Sequence, residues 1–220
     1  MLNAALISLR DMFSPPFRSV LWRSLGLTLL LLAALGYGAQ WGIEAIPDLG
    51  YEWADTTVDV LAQFILVIVL VVMLMPAAAL FAGLFLEEIA DAVEEKRYPQ
   101  DAPGRDQPFW QGLWVALKFT AVLVGLNLIA LPFYFVPVFG VILFWLLNGY
   151  LLSREYFELV ALRHMGPEEA RKMRRANRLR LLSAGFLIAA LATIPIANLL
   201  VPLFATAFMV HIYKRIAARA

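Results

Sequence analysis

Long uncharged stretches alternate with short charged ones along this chain. Four stretches contain no Asp, Glu, Lys or Arg: residues 24–43, 60–86, 119–153 and 181–212. The first holds 20 residues, about the length at which a helix crosses a bilayer core. The second holds 27, about 40 Å of helix, so it crosses with tilt or overhang. The third and fourth each exceed 30 residues and each carries two prolines near its middle, Pro132 with Pro137 and Pro195 with Pro202. Proline lacks the N–H that a helix interior needs and its ring clashes with the preceding turn. Each pair therefore predicts a turn between two helical arms. The fold predicted is all-α and membrane-embedded, a single domain over residues 1–220. It has two long transmembrane helices, two proline-broken hairpins and amphipathic surface helices.

The charges lead to the same plan independently. Of 18 Lys and Arg residues, three precede the first stretch, four separate the second from the third, eight separate the third from the fourth, and three follow the fourth. None falls in residues 44–59. Positive residues mark the cytoplasmic side. All basic segments and both termini lie there if the first two stretches cross once each and the last two return to the side they entered from. The uncharged arms of the third stretch, 119–131 and 138–153, are about 20–24 Å long as helix, short of a core of about 30 Å. Re-entrant hairpins with tips buried in protein are the expectation; four full spans, with arms lengthened by 109–118 and 154–163, are the alternative. The proline–apolar sequences of the two tips are similar, which reads either as a weak internal repeat, as transport paths often have, or as two unrelated hairpins. Three arginines before the first stretch suit an anchor that stays in place.

Composition narrows the function. Hydrophobic residues make up 62% and charged residues 16%, against about 45–50% and about 25% in a soluble domain. With a net charge of +1, nucleic acid is not an expected partner. The absence of cysteine removes disulfides and thiol chemistry, and two histidines are too few for an obvious zinc site. No nucleophile–base pair, metal cluster or phosphate loop stands out, so no enzyme, cofactor or metal is expected. The uncharged stretches hold neutral polar residues that could line a path, Asn127, Asn148, Asn198, Thr193 and Thr206, or could simply pack helices. Residues 60–96 read as one long helix, kinked at Pro76 and amphipathic at its end. Glu44, Asp48, Glu52, Asp55 and Asp59 form an acidic outer stripe, read as a solvated face. Residues 165–180 carry six positive charges suited to anionic headgroups, with an anion held after passage as a second reading.

The run from Pro76 through Gly83, Leu84, Phe85, Glu87 and Asp91 to Glu94 resembles the signature of the bacterial CysZ sulfate permeases and the wider EI24-domain family. Ser14-Pro15-Pro16-Phe17-Arg18, Asn148-Gly149-Tyr150 and Ile194-Pro195-Ile196-Ala197-Asn198 extend the resemblance in order along the chain. It implies a sulfate permease of the bacterial inner (plasma) membrane feeding cysteine biosynthesis, with two spans and two partly inserted hairpins. It also implies a homo-oligomer, a dimer or multiple of dimers. The rival is a non-transporting, membrane-organising protein of the EI24 type. The family's proposed sulfate site is a Gly-hydrophobic-Arg-Arg pattern where the first span begins, which falls here on Pro16, Phe17, Arg18 and Ser19. The glycine is proline and the second arginine is serine. The residues themselves allow an anion site: Ser14 and Pro15 read as a helix start, whose positive end, with Phe17, Arg18 and Ser19, favours an oxyanion. The competing reading is that Arg18 obeys the positive-inside rule and meets lipid phosphate.

Overall fold

A computed structural model describes residues 1–45, 47, 50–105, 109–136 and 138–219. Asp48 of the acidic stripe and Pro137 of the first hairpin lie outside them. The described residues form helices joined by turns and short irregular segments, without strand. The chain divides into two compact units, Arg18–Phe85 and the rest, Met1–Phe17 with Leu86–Ala220.

The Arg18–Phe85 unit consists of α2 (Pro15–Glu44, from its second turn) and α3 (Glu52–Gly83). Among the described residues, these are the two helices long and apolar enough to cross a membrane. At 30 and 32 residues they measure about 45 and 48 Å, more than a bilayer core. A side-chain hydrogen bond joins them. Gln63 Nε2 donates to Gln40 Oε1 at 2.7 Å, a bond of the kind that joins helices where no water competes. Gly36 lets Leu70 approach so closely that a Cβ there would lie 3.2 Å from its Cδ1. The buried Ser24 and Thr28 return their hydroxyl protons to carbonyls of their own helix.

The single helix predicted over residues 60–96 is two helices. Pro76 lies inside α3 without ending it. The break falls after Gly83, where the Leu84 and Phe85 N–H groups turn back to Phe81 and Ala82 three residues earlier. Glycine is a weak helix former, and Glu87 and Glu88 favour a new start by sitting in the first turn of α4 (Leu86–Arg97).

The other unit contains α1 (Leu2–Asp11), α4, and the two hairpins. The first hairpin is α5 (Phe109–Ala130), a 3₁₀ turn (Leu131–Phe135) and α6 (Phe139–Ala161). The second, after the short α7 (Pro167–Ala176), is α8 (Arg178–Ala192), α9 (Pro195–Asn198) and α10 (Val201–Ala217). Both turns fall at the proline pairs. The arms of the first hairpin are 22 and 23 residues, because the helices continue past the uncharged window; those of the second are 15 and 17. As helix these are about 33–35 Å and about 22–26 Å. Helix α10 is the centre of this unit: Val201–Lys214 are all buried, against α1, α4, α6 and α8.

Two features of the packing stand out. Helices α6 and α8 meet backbone to backbone, Gly149 and Ser153 against Gly185. A four-residue spacing of small residues permits this approach. Helix α1 turns its small and polar face, Ala4, Ala5, Ser8 and Asp11, inward, while Leu2, Leu6, Leu9 and Phe13 are exposed. An exposed apolar stripe on a short helix suits a bilayer surface.

Candidate functional site

The start of α2 carries the anion-site residues expected from sequence. Ser14 precedes the helix, and both its N–H and its hydroxyl bond to the Asp11 carbonyl, at 2.9 and 2.6 Å. Its hydroxyl proton is therefore held within the α1–α2 turn. Pro15 and Pro16 contribute no N–H, so Phe17 carries the first backbone N–H of α2. The Phe17 ring is buried, Ser19 is half-buried, and the Arg18 guanidinium is exposed with no ion pair among the described residues. Pro16 also borders a cavity of about 490 Å³ walled by Glu87, Glu88, Asp91 and Glu95. The charge next to Pro16 is thus negative.

Four of the five neutral polar candidates are occupied within their own stretch of chain. The Asn127 amide donates to Leu123 O and its oxygen lies 3.4 Å from the Tyr134 hydroxyl. Asn148 donates to Phe144 O, Thr193 to Ala190 O and Thr206 to Pro202 O. Asn198 is half-buried in the second turn. No hydrogen bond among the described residues joins any two of the five.

The densest polar construction lies around α10. Arg163, at the end of α6, is 1% exposed. Its Nη2 is hydrogen-bonded to Asp91 and lies 3.5 Å from Glu94 Oε2, two acids three residues apart on one face of α4. Glu94 Oε1 meets His164 Nε2 at 2.7 Å, and His164 stacks on Tyr213 of α10. The segment after α4 closes over this group: the Gly104 N–H points to Glu94 and the Arg105 N–H donates to the Arg163 carbonyl. Nearby, Asp11 binds Lys96 and Arg97, each at 2.8 Å, and lies 3.8 Å from His211 Nε2. His211 Nδ1 shares a proton with the Tyr98 hydroxyl at 2.8 Å, and Lys214 pairs with Asp101. Burial pushes both the Asp11 and Glu94 carboxyls up. Bonds from Arg97 and Lys96 to Asp11, and from His164 to Glu94, outweigh it, so both end below their ordinary values.

The model of the sulfate transporter CysZ/etoposide-induced protein 2.4 family matches residues 4–202. The chain belongs to that family. No curated protein matches it closely. In this CysZ/EI24 chain the signature residues have separate structural duties. Gly83 ends α3, Leu84 and Phe85 form the turn, Glu87 opens α4, and Asp91 and Glu94 clamp Arg163. Sequence reasoning singled out those two acids without their partner. It did not find Asp11, Tyr98 or His164, because their partners lie about 70 to 110 residues away. The one local signal was the three-residue spacing of Asp91 and Glu94.

A prediction follows for acid stability. Folding holds Asp11 and Glu94 ionised to lower pH than the unfolded chain does, so in that range the unfolded chain binds more protons and stability falls as pH falls. The contribution is complete above the ordinary carboxylate range of about 4–4.5 and is lost as pH drops through the lowered folded values. Melting temperature in detergent, followed from pH 7 to pH 3, should decline below about pH 4.5. An Asp11→Asn/Glu94→Gln variant should start lower and decline less. Parallel curves for the two proteins would contradict the assignment.

Proposed function

We propose that the protein is an oxyanion permease with sulfate as its substrate, supplying cysteine biosynthesis across a bacterial inner membrane. Family membership over residues 4–202 carries this reading, supported by the two bilayer-length helices α2 and α3. Its partners would be the bilayer, met by the exposed apolar face of α1, and further copies of itself in a dimer or multiple of dimers. It would need no cofactor and catalyse no reaction. The first turn of α2 would hold the anion, through the Arg18 guanidinium, the Phe17 N–H and the Ser19 hydroxyl. The second reading is a non-transporting, membrane-organising role. It is favoured by Pro16 and Ser19 in place of the family's glycine and arginine, and by the carboxylates beside Pro16.

Uptake of labelled sulfate into proteoliposomes, above that of empty liposomes, separates the two. The permease should also bind sulfate in low salt. Arg18→Ala should weaken binding about ten- to a hundredfold, the worth of a charge-assisted bond, and Ser19→Arg should strengthen it. Absence of uptake would leave the membrane-organising role.

The hairpins belong to the same proposal. The short arms of the second hairpin suit partial insertion, and the basic segments would all face the cytoplasm. Single cysteines can be introduced into this cysteine-free chain. An impermeant thiol reagent applied outside should label a cysteine at Asp55, but neither one at Glu169 nor ones at the tips, Tyr134 and Asn198. Efficient labelling at both tips would make the hairpins full spans.

A further inference from the structure

Beside the start of α5, the end of α6 and α7 lies a cavity of about 340 Å³. Its charged walls are Lys118, Arg154, Arg171 and Arg174, with Glu158 as the single carboxylate among the described lining residues and Trp114 at one side. Glu158 Oε1 is already engaged, 3.0 Å from Arg154 Nε and 3.5 Å from Arg174 Nε. Lys118 and Arg171 therefore add positive charge beyond what Glu158 already meets. Arg174 Nε is buried and forms no hydrogen bond. Lys118 lies 4.8 Å over the Trp114 ring, and neither Lys118 nor Arg171 has a carboxylate partner among the described residues. The cavity also borders Gly166 and Pro167 at the start of α7, where the Gly166 N–H is already directed to Glu169. Concave walls of predominantly positive charge concentrate an anion, and guanidinium forks match the edges of a tetrahedral oxyanion.

We propose that this cavity is a binding site, separate from the start of α2, for a tetrahedral oxyanion, either free sulfate or phosphate or the phosphate of an anionic lipid headgroup. The inference stands whether or not the protein transports sulfate, since it rests on the charge and shape of this cavity. The apolar side chains of Leu162 and Met165 in its wall leave room for a headgroup to enter with the first carbons of its lipid.

The test uses the full chain in phosphatidylcholine nanodiscs, titrated calorimetrically with sodium sulfate, with and without phosphatidic acid in the disc. Phosphatidic acid retained by the protein is read in parallel by native mass spectrometry. Lys118 and Arg171 are exposed, so the Lys118→Gln/Arg171→Gln variant should fold as the parent does. It should lose about tenfold or more in affinity for whichever probe binds. Glu158→Gln, which removes the competing carboxylate, should bind that probe more tightly. In an Arg18→Ala background, where the proposed permease site is disabled, the binding that remains should still be lost on adding Lys118→Gln/Arg171→Gln, which separates the cavity from that site. Sulfate binding that phosphatidic acid does not weaken assigns the site to the free ion. Phosphatidic acid retention, lost in the double variant, assigns it to lipid. If the parent binds neither probe, or if the double variant binds both as the parent does, the proposal is overturned.

Discussion

A Gly185→Leu variant is expected to lose the packing of α8 on α6 and to leave the hairpin unit largely unfolded in detergent. The reason is steric. Even the first carbon of a side chain at Gly185 would overlap the Gly149 carbonyl and lie 2.7 Å from Ser153 Cβ. The obstacle is backbone, which cannot rotate aside as a side chain does. Overpacking an ordinary core site costs about 1–3 kcal/mol; here both helices must separate, so the cost should exceed that range. Gly185→Ala should already destabilise, although alanine is about 1 kcal/mol the better helix former. Gly125 in α5 is the control, since a Cβ there meets nothing within 4 Å, and Gly125→Ala should cause no loss. Thermal melting followed by circular dichroism and size exclusion checks both. Equal melting of the Gly185→Ala and Gly125→Ala proteins would refute the close approach.

Loss of the Arg163 side chain should cost about 3–5 kcal/mol, the usual penalty for leaving one member of a buried ion pair without the other. Glu94, with a side chain 5% exposed, would keep His164 but lose its guanidinium. The bond to the Glu87 carbonyl would go as well. Asp91 is different. Its side chain is 44% exposed, so water can take over part of its solvation. Asp91→Asn should cost within about 1 kcal/mol. Arg163→Lys should fall between, because an ammonium cannot reach both acids with a planar fork. Denaturant or thermal unfolding of the four proteins orders them. If Arg163→Ala unfolds no more easily than Asp91→Asn, the clamp contributes nothing beyond a surface pair.

How far the sequence reaches is clearest at the helix ends. The proline pairs placed both hairpin turns within a few residues of Leu131–Phe135 and Pro195–Asn198, because a missing N–H acts on its own turn of helix. Helix α1 is amphipathic, and its apolar side is the exposed one. In a soluble protein that would be the wrong way round; facing lipid, it is the stable arrangement. The expected single helix over 60–96 passes through Pro76 and ends at Gly83. Proline and glycine both weaken a helix, and the neighbouring acids of α4 decided which position broke it. At the proposed anion site, sequence identified the departures at Pro16 and Ser19. Only the structure showed that the Ser14 proton is already taken by Asp11 and that carboxylates of α4 surround the Pro16 cavity.

The sequence alone therefore determined the membrane character, the two bilayer-length helices, the two hairpins and the family resemblance. Each follows from the length of an uncharged run or from a motif read in order, properties that belong to consecutive residues. Tertiary structure alone decided which charges meet. Asp11 finds Lys96 and Arg97, Glu94 finds His164, and Arg163 finds Asp91. Helix α10 became the buried centre, although its sequence is no more apolar than that of α3. Burial depends on how many neighbours surround a helix, and an ion pair on whether two distant turns arrive at one place. Neither is a property of a local run of residues, so the fold had to supply both.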